Sequence, residues 1–193
     1  MQIIWYGQSC FVVKSKLQDQ EINILINPFD SKKIAKADIV LLNNKILNPK
    51  ELKNCKAFVI DSAGEFEIRN NFIRGINNDE NIIFLLEAEG INIVNLGKTK
   101  HLENGLINKL QNVDILILPI NKDEFFSVDE AGEIINQIEP KIVIPSYYQE
   151  IKNISKFAEK MGVDMKKTVD KLKIVKKNLL QDGAEIIIMD KKS

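Results

Sequence analysis

The sequence is poor in the side chains that bind transition metals. It contains one histidine, His101, and two cysteines, Cys10 and Cys55. Zinc is held by histidine nitrogen, thiolate or carboxylate, with about four protein ligands in structural sites and about three in catalytic sites. A two-metal hydrolytic site built from several histidines around a bridging acid is beyond what one imidazole can supply. The cysteines lie in apolar surroundings without CxxC spacing, so we expect them to be small buried hydrophobic residues.

Net charge and long apolar runs are also absent. Lysine plus arginine and aspartate plus glutamate each total 27, which gives a formal net charge of zero and favours neither nucleic acid nor an anionic membrane as a partner. No apolar run approaches the roughly 18 to 20 residues that span a bilayer, and no N-terminal segment resembles a signal peptide. We therefore expect a cytoplasmic protein. No linker or repeat divides the chain, so residues 1–193 are expected to form a single domain.

Short apolar runs in the first half of the chain predict β-strands. The first group lies at residues 2–6, 11–14, 22–26, 39–42 and 57–60. A second group lies at residues 66–68, 72–76, 82–87 and 91–96. The polar gaps within the second group are short, and such gaps predict antiparallel hairpins.

The second half of the chain alternates helical and strand patterns. Helical spacing occurs at residues 102–110, 128–138 and 151–161, and a short helical turn fits residues 49–54. Strand patterns occur at residues 114–119, 141–145, 172–176 and 185–189. Ser127 is a candidate N-cap for the second helix. Alternation of this kind predicts helices packed over the faces of a sheet.

Several segments resemble one known family in their order and spacing. Residues 4–11 read Ile-Trp-Tyr-Gly-Gln-Ser-Cys-Phe, against a family opening of an apolar residue and Gly-His-Ser-Cys-Phe. Residues 26–29 read Ile-Asn-Pro-Phe, against Ile-Asp-Pro-Phe in the family. Further matching segments lie at residues 61–68, 72–76, 92–97 and 138–145. Together they resemble the metallo-β-lactamase fold, in its short bacterial branch of lactonase-like zinc-dependent hydrolases. The resemblance implies an α/β protein with a four-layer αββα sandwich, in which two mixed β-sheets lie face to face.

The positions that match the metal ligands of this family carry other residues. The family has His-x-His-x-Asp-His after the strand at residues 39–42, a metal-bridging acid after Leu-Gly, and three further ligands near the two ends of the chain. The matching positions here are Gln8, Asn27, Asn43, Lys45, Leu47, Asn48, Lys98 and Tyr147. Zinc is the cofactor that the resemblance implies, but a lysine ammonium repels a divalent cation. The sequence therefore predicts no metal and no other cofactor.

Three other side chains are weak candidates for catalysis. His101 is either a lone general base near the cleft or a partly exposed polar residue near a helix start. The candidate nucleophiles are Ser9, Ser62 and Ser146, and no local pattern pairs any of them with this histidine. Glu65 and Glu67 are alternate residues of one strand, so their carboxylates face the same side at a spacing of about 5 to 9.5 Å that suits acid and base roles. The stretch that holds them more simply shapes a turn.

Two functions follow from this pattern. The first is a catalytically degenerate, metal-free binding or assembly module, whose partner is an unknown protein, a second copy or an active relative. The alternative is a hydrolase with a rebuilt or non-metal site that acts on a lactone, ester or phosphodiester. We expect Lys45 and Lys98 to project into one cleft, neutralised by Glu65 or Glu67. An open pocket without such an acid would instead indicate an anion-binding site.

Overall fold

The computed structural model of the chain describes most of its length. The described residues are 1–29, 34–44, 55–121, 124–148, 154–164, 167–179 and 183–192. Three positions that the sequence matched to metal ligands, Lys45, Leu47 and Asn48, lie outside these ranges, as does the helical turn predicted at residues 49–54.

Strands make up most of the regular structure. The strands of the first half are β1 (Gln2–Gly7), β2 (Cys10–Leu17), β3 (Gln20–Ile26), β4 (Ile39–Leu41), β5 (Phe58–Ile60), β6 (Gly64–Ile68), β7 (Asn71–Asn78), β8 (Asn81–Ala88) and β9 (Ile91–Asn95). Those of the second half are β10 (Ile115–Pro119), β11 (Ile142–Ser146), β12 (Leu172–Lys173) and β13 (Glu185–Ile186). The helices that lie wholly within the described residues are α1 (Val128–Ile138) and α2 (Ser155–Lys160), with short 3-10 helices at Ile107–Lys109 and Lys176–Asn178.

The strands form two mixed sheets. One sheet has six strands in the order β12-β1-β2-β3-β4-β5, and the other has seven in the order β13-β11-β10-β9-β8-β7-β6. In the first sheet β3, β4 and β5 are parallel while β1, β2 and β3 are antiparallel. In the second sheet β6 to β9 form the predicted antiparallel meander, and β9, β10, β11 and β13 are parallel. Each sheet therefore has an antiparallel part and a parallel part, as the fold class requires.

Local turn chemistry explains why the meander forms. Arg69 and Asn70 connect β6 to β7, and both have positive φ, at 50° and 60°. Glu89 and Gly90 connect β8 to β9 with φ of 53° and 72°. Two central residues with positive φ define the turn whose twist matches that of the flanking strands. These tight turns fix the register of each hairpin.

The two sheets face each other across a shared hydrophobic core. Trp5 and Phe11 of the first sheet belong to the same buried cluster as Phe84 and Ile117 of the second. Each of these side chains has at most 2% of its surface exposed. Sheets pack in this way when the apolar residues of their inner faces interdigitate.

Helix α1 forms as predicted, with the same bounds and with Ser127 as its N-cap. The Ser127 hydroxyl accepts a hydrogen bond from the Glu130 amide, and the Glu130 carboxylate accepts one from the Ser127 amide at 2.8 Å. This reciprocal pair is a capping box. The hydrogen bonds from Ser127 lower the pKa of Glu130. On its apolar face the helix buries Ala131, Ile134, Ile135 and Ile138 in the core.

The helix predicted at residues 102–110 is wrong. Only the 3-10 helix Ile107–Lys109 forms there, although Leu106 and Leu110 are buried as the spacing suggested. Gly105 has a φ of 78°, which no α-helix accepts. The side chain of Asn78 also bonds the backbone of this segment, since it accepts from the Glu103 amide and donates to the His101 carbonyl. Side-chain bonds to the backbone compete with a helix in this way.

Other differences concern the extent of elements. The strand predicted at residues 172–176 is shorter, since only β12 forms and a 3-10 helix follows it. The closing strand predicted at residues 185–189 is likewise limited to β13.

Both cysteines are free thiols; Cys10 is fully buried and Cys55 is half-buried. Among the residues that the structure describes, no helix has the length and apolarity that crossing a membrane requires.

Candidate functional site

A cleft of about 560 Å³ lies where several strands end. Gln8 follows β1, Asn121 follows β10 and Tyr147 follows β11, and all three line the cleft. Lys98, in the loop after β9, also lines it. A smaller pocket beside it is lined by Gln8, Lys98 and Asn27, the residue after β3. Strand ends hold loops rigidly in place, and α/β proteins bind ligands at such edges.

The structure brings together four of the positions that the sequence singled out. Gln8, Asn27, Lys98 and Tyr147 surround these two adjoining pockets. Three of them have left-handed backbone conformations, with φ of 49° at Gln8, 46° at Asn27 and 65° at Tyr147. Such a conformation is uncommon for residues other than glycine and concentrates at functional sites. The backbone at this edge thus leaves strand geometry at three of the four positions.

Asn43, a fifth matched position, lies beneath this edge as part of a buried amide cluster. Its side-chain oxygen accepts a hydrogen bond from the Asn27 amide group, and its backbone amide donates to Asn27 Oδ1 at 2.9 Å. Its Nδ2 donates to the Ile82 carbonyl of the opposite sheet and, at 3.4 Å, to the Asn95 carbonyl. Asn43 is completely buried. The amide therefore joins the two sheets, and both its oxygen and its nitrogen are already bonded within the protein.

Gly97 is required by the close packing of this cluster. A Cβ atom built at Gly97 would lie 2.6 Å from Asn43 Cγ, and the φ of Gly97 is 61°. The backbone of the loop after β9 thus rests directly on the Asn43 side chain. Asn95, at the end of β9, accepts a bond from the Gly97 amide at 2.8 Å, which fixes the start of the same loop. Only glycine fits here without displacing its neighbours.

Asn81 fixes the rest of the loop that carries Lys98. Its amide group donates to the Leu96 carbonyl and to the Thr99 hydroxyl, both at 2.9 Å. Its Oδ1 accepts from the Lys98 backbone amide at 3.2 Å. Asn81 is 7% exposed, so these bonds are shielded from water. The backbone of Lys98 is therefore held on both sides at the edge of the cleft.

Tyr147 forms part of an aromatic wall. Its ring centroid lies 4.3 Å from that of Phe125 at an interplanar angle of 48°. The Tyr147 hydroxyl donates to Ser9 Oγ at 2.8 Å. Burial is the main cause that raises the pKa of Tyr147 to about 12, and the charge of Glu124 raises it further. Tyr147 is consequently a neutral phenol near neutral pH and is not a ready phenolate ligand.

The expected neutralisation of Lys98 by Glu65 or Glu67 is wrong. The Glu65 carboxylate is 3.6 Å from Arg74 Nε, its neighbour across the β6–β7 pair. Glu67 lies on the same face of β6, opposite Phe72. Within the described part of the chain Lys98 forms no ion pair. The two acids instead occupy an exposed strand at one end of the second sheet.

His101 lies away from the aromatic wall. Its Nε2 is 2.9 Å from Asp79 Oδ2, and the two side chains are 66% and 51% exposed. It lines a shallow groove on the other side of Lys98. Of the candidate serines, Ser9 is bonded to Tyr147 and Ser146 is buried in β11. The geometry therefore brings His101 together with an acid but not with either of these serines.

The donors at the cleft do not suit the zinc that the family resemblance implies. Gln8 and Asn27 present neutral amides, Tyr147 a protonated phenol and Lys98 a cation. Among the residues that the structure describes, no group of three or more histidine, cysteine, aspartate or glutamate side chains is arranged to hold a metal ion. Zinc sites in proteins are built from these four residue types. We therefore assign no step of chemistry to a metal here.

Sequence reasoning missed two important parts of the cleft, Lys191 and Phe125. Lys191 reaches the cleft because the C-terminal segment runs beside β1, where the Lys192 amide donates to the Trp5 carbonyl at 2.9 Å. Its side chain crosses Gly7, since a Cβ built there would lie 3.0 Å from Lys191 Cε. Phe125 follows β10 in a loop without a periodic pattern. No local pattern in the sequence predicts that Lys191 or Phe125 lines the cleft.

Known proteins share both the sequence pattern and the fold. The profile of a family described as the beta-lactamase superfamily domain matches residues 2–147. A UPF0173 protein of Pyrococcus furiosus is 24% identical over 182 residues, which cover 77% of this chain and 83% of the relative. A UPF0173 protein of Pyrococcus abyssi is 23% identical, with the same coverage. Both relatives are archaeal, so the bacterial branch is not confirmed.

Solved structures match along nearly the whole chain. One is a metallo-β-lactamase superfamily protein of Thermotoga maritima, for which zinc-dependent hydrolysis has been suggested. It superposes with a TM-score of 0.78 at 22% identity, and the match covers 98% of this chain and 100% of the Thermotoga chain. The metallo hydrolase Igni18 of Ignicoccus hospitalis has a TM-score of 0.64 at 14% identity, covering 90% and 99%. At these identities the likeness shows the fold. Given the profile match over residues 2–147, the chain belongs to the beta-lactamase superfamily and has the metallo-β-lactamase fold.

Proposed function

We propose that this protein is a catalytically degenerate, metal-free member of its superfamily that works as a binding module. The observation that carries the proposal is Lys98. This residue stands where the family has a metal-bridging acid, and it lines the cleft without an ion pair among the described residues. A cation that lines the site supplies positive charge where active relatives use a metal.

Electrostatics support this proposal. Two unit charges 4 Å apart interact by about 4 kcal/mol at an effective dielectric constant of about 20, so a divalent ion beside the Lys98 ammonium would be repelled by about 8 kcal/mol. Structural zinc sites with complete ligand sets bind with about 10 to 16 kcal/mol. A repulsion of that size would cancel about half or more of that free energy even if full ligands were present. The amides of Asn27 and Asn43 add no compensating negative charge.

The hydrolase alternative has less support. A metal-free hydrolase needs a nucleophile and a base within hydrogen-bond reach of each other. His101 is paired with exposed Asp79, and Ser9 is bonded to the neutral Tyr147 phenol. Neither arrangement activates a serine hydroxyl, so we give binding precedence over catalysis.

We expect zinc and chelators to leave the thermal stability of the purified protein unchanged. A ligand at 100 times its dissociation constant stabilises a folded protein by about 2.7 kcal/mol, which corresponds to a rise of roughly 5 to 10 °C in Tm for a chain of this size. Differential scanning calorimetry with zinc, with a chelator and with magnesium as the salt control should give Tm values within about 1 °C of one another. A rise specific to zinc, reversed by the chelator, would refute the metal-free proposal.

A further inference from the structure

We infer that the cleft binds an aromatic monocarboxylate, with Lys98 and Lys191 holding the carboxylate and the Phe125–Tyr147 wall contacting the ring. The inference rests on the proposed binding function and names its ligand class. Both lysines and both aromatic residues line the same cleft.

The first argument is that Lys191 is built into the cleft. The segment that carries it is tied to β1 by the bond from the Lys192 amide to the Trp5 carbonyl, and Asp190 donates its amide to the Val169 carbonyl at 2.9 Å. The lysine stem lies over Gly7, whose φ of 103° and lack of a side chain leave room for it. The backbone position of Lys191 is therefore fixed on both sides, while the residue itself is exposed.

The second argument is that neither cationic side chain forms an ion pair with a described acid. Elsewhere Lys14, Lys160 and Lys176 pair with Glu21, Asp129 and Asp114. In the part of the chain that the structure covers, Lys98 and Lys191 form no such pair. Cations that line a cleft without an ion pair favour an anionic ligand, because the charge of the ligand is complementary to theirs.

The third argument concerns the charge of the ligand. Glu124 also lines the cleft, so two lysines and one glutamate give a described lining charge of +1. One carboxylate matches that charge, whereas a phosphate dianion would carry one negative charge more than the described lining balances. A monoanion is therefore the best electrostatic complement.

The fourth argument concerns the body of the ligand. The rings of Phe125 and Tyr147 are in contact, and Phe29, which is 57% exposed, stands at the junction of the cleft and the adjoining pocket. Aromatic rings contribute large contact area and favourable edge or stacked packing. The cleft volume of about 560 Å³ lies within the range of small-molecule sites, roughly 300 to 1,000 Å³. A fused aromatic ring with one carboxylate fits both the volume and the walls.

Fluorescence titration with 2-naphthoate tests this inference on the full chain. We expect 2-naphthoate to bind at least about tenfold more tightly than the neutral isostere 2-naphthamide, acetate and inorganic phosphate. Lys98→Met and Lys191→Met should each weaken naphthoate binding about tenfold. Lys109→Met, which changes an exposed lysine in a 3-10 helix, is the matched control and should leave binding unchanged. Thermal unfolding of each variant checks that it remains folded.

Three outcomes would overturn the inference: no binding of naphthoate, equal binding of naphthamide, or folded lysine variants that bind as the parent does. Repeating the titration with zinc and with a chelator separates this inference from the proposed function. Binding that depends on zinc defeats both. Absence of metal together with absence of naphthoate binding defeats the inference alone. Lysine-dependent binding in a protein that also holds zinc defeats only the metal-free proposal.

Discussion

Replacing Gly97 with alanine should lower the free energy of unfolding by about 3 kcal/mol. The added Cβ would lie 2.6 Å from Asn43 Cγ and 2.7 Å from its Cβ and Nδ2. Asn43 is completely buried and bonded to both sheets, so it cannot turn aside without breaking those bonds. Urea denaturation followed by circular dichroism measures the change.

Gly105 supplies the matched control for this substitution. Its φ is 78°, similar to the 61° of Gly97, but a Cβ built there meets no atom within 4 Å. Gly105→Ala therefore reports only the cost of a left-handed alanine, about 1 kcal/mol. If the two substitutions destabilise the protein equally, the packing of the loop against Asn43 has no energetic importance.

Replacing Asn43 with alanine should also cost about 3 kcal/mol of stability. The change removes the acceptor of the Asn27 amide group and the donor to the Ile82 carbonyl, and it leaves a cavity between the sheets. A buried polar group that loses its partner costs about 1 to 3 kcal/mol. Chemical denaturation with linear extrapolation measures the loss.

Asn77→Ala is the control for Asn43→Ala, because Asn77 is an exposed asparagine of β7. Its replacement should change stability by no more than about 0.5 kcal/mol. A loss below about 1 kcal/mol for Asn43→Ala would mean that the amide cluster is not a structural tie between the sheets.

Elements with local signals were predictable from the sequence. Helix α1 begins with Ser127 and Glu130 at capping-box spacing and has apolar residues at helical intervals, so its bounds follow from the sequence. The hairpins from β6 to β9 follow from short polar gaps between apolar runs. The prediction of a helix at residues 102–110 was wrong because a side chain distant in sequence decides the structure there. Asn78 hydrogen-bonds the backbone at His101 and Glu103, and these bonds compete with a helix.

The candidate site was predictable in part, for a different reason. The resemblance to the metallo-β-lactamase family singled out Gln8, Asn27, Lys98 and Tyr147, and the structure places all four around the two adjoining pockets. The pairing of Glu65 with Arg74 depends on strand register, which assigns the two residues to the same face.

Lys191 depends on contact between the two ends of the chain. Long-range contacts of this kind leave no pattern in a single sequence.

The central claim is that the cleft lined by Lys98 holds no metal, and the most direct test is X-ray diffraction at the zinc absorption edge. Crystals of the full chain would be grown with zinc in excess. The account predicts no anomalous peak within coordination distance, about 2 to 2.3 Å, of Gln8, Asn27 or Tyr147. It also predicts electron density for the Lys98 side chain at the wall of the cleft. An anomalous peak bound by these side chains, with Lys98 turned away, would contradict it.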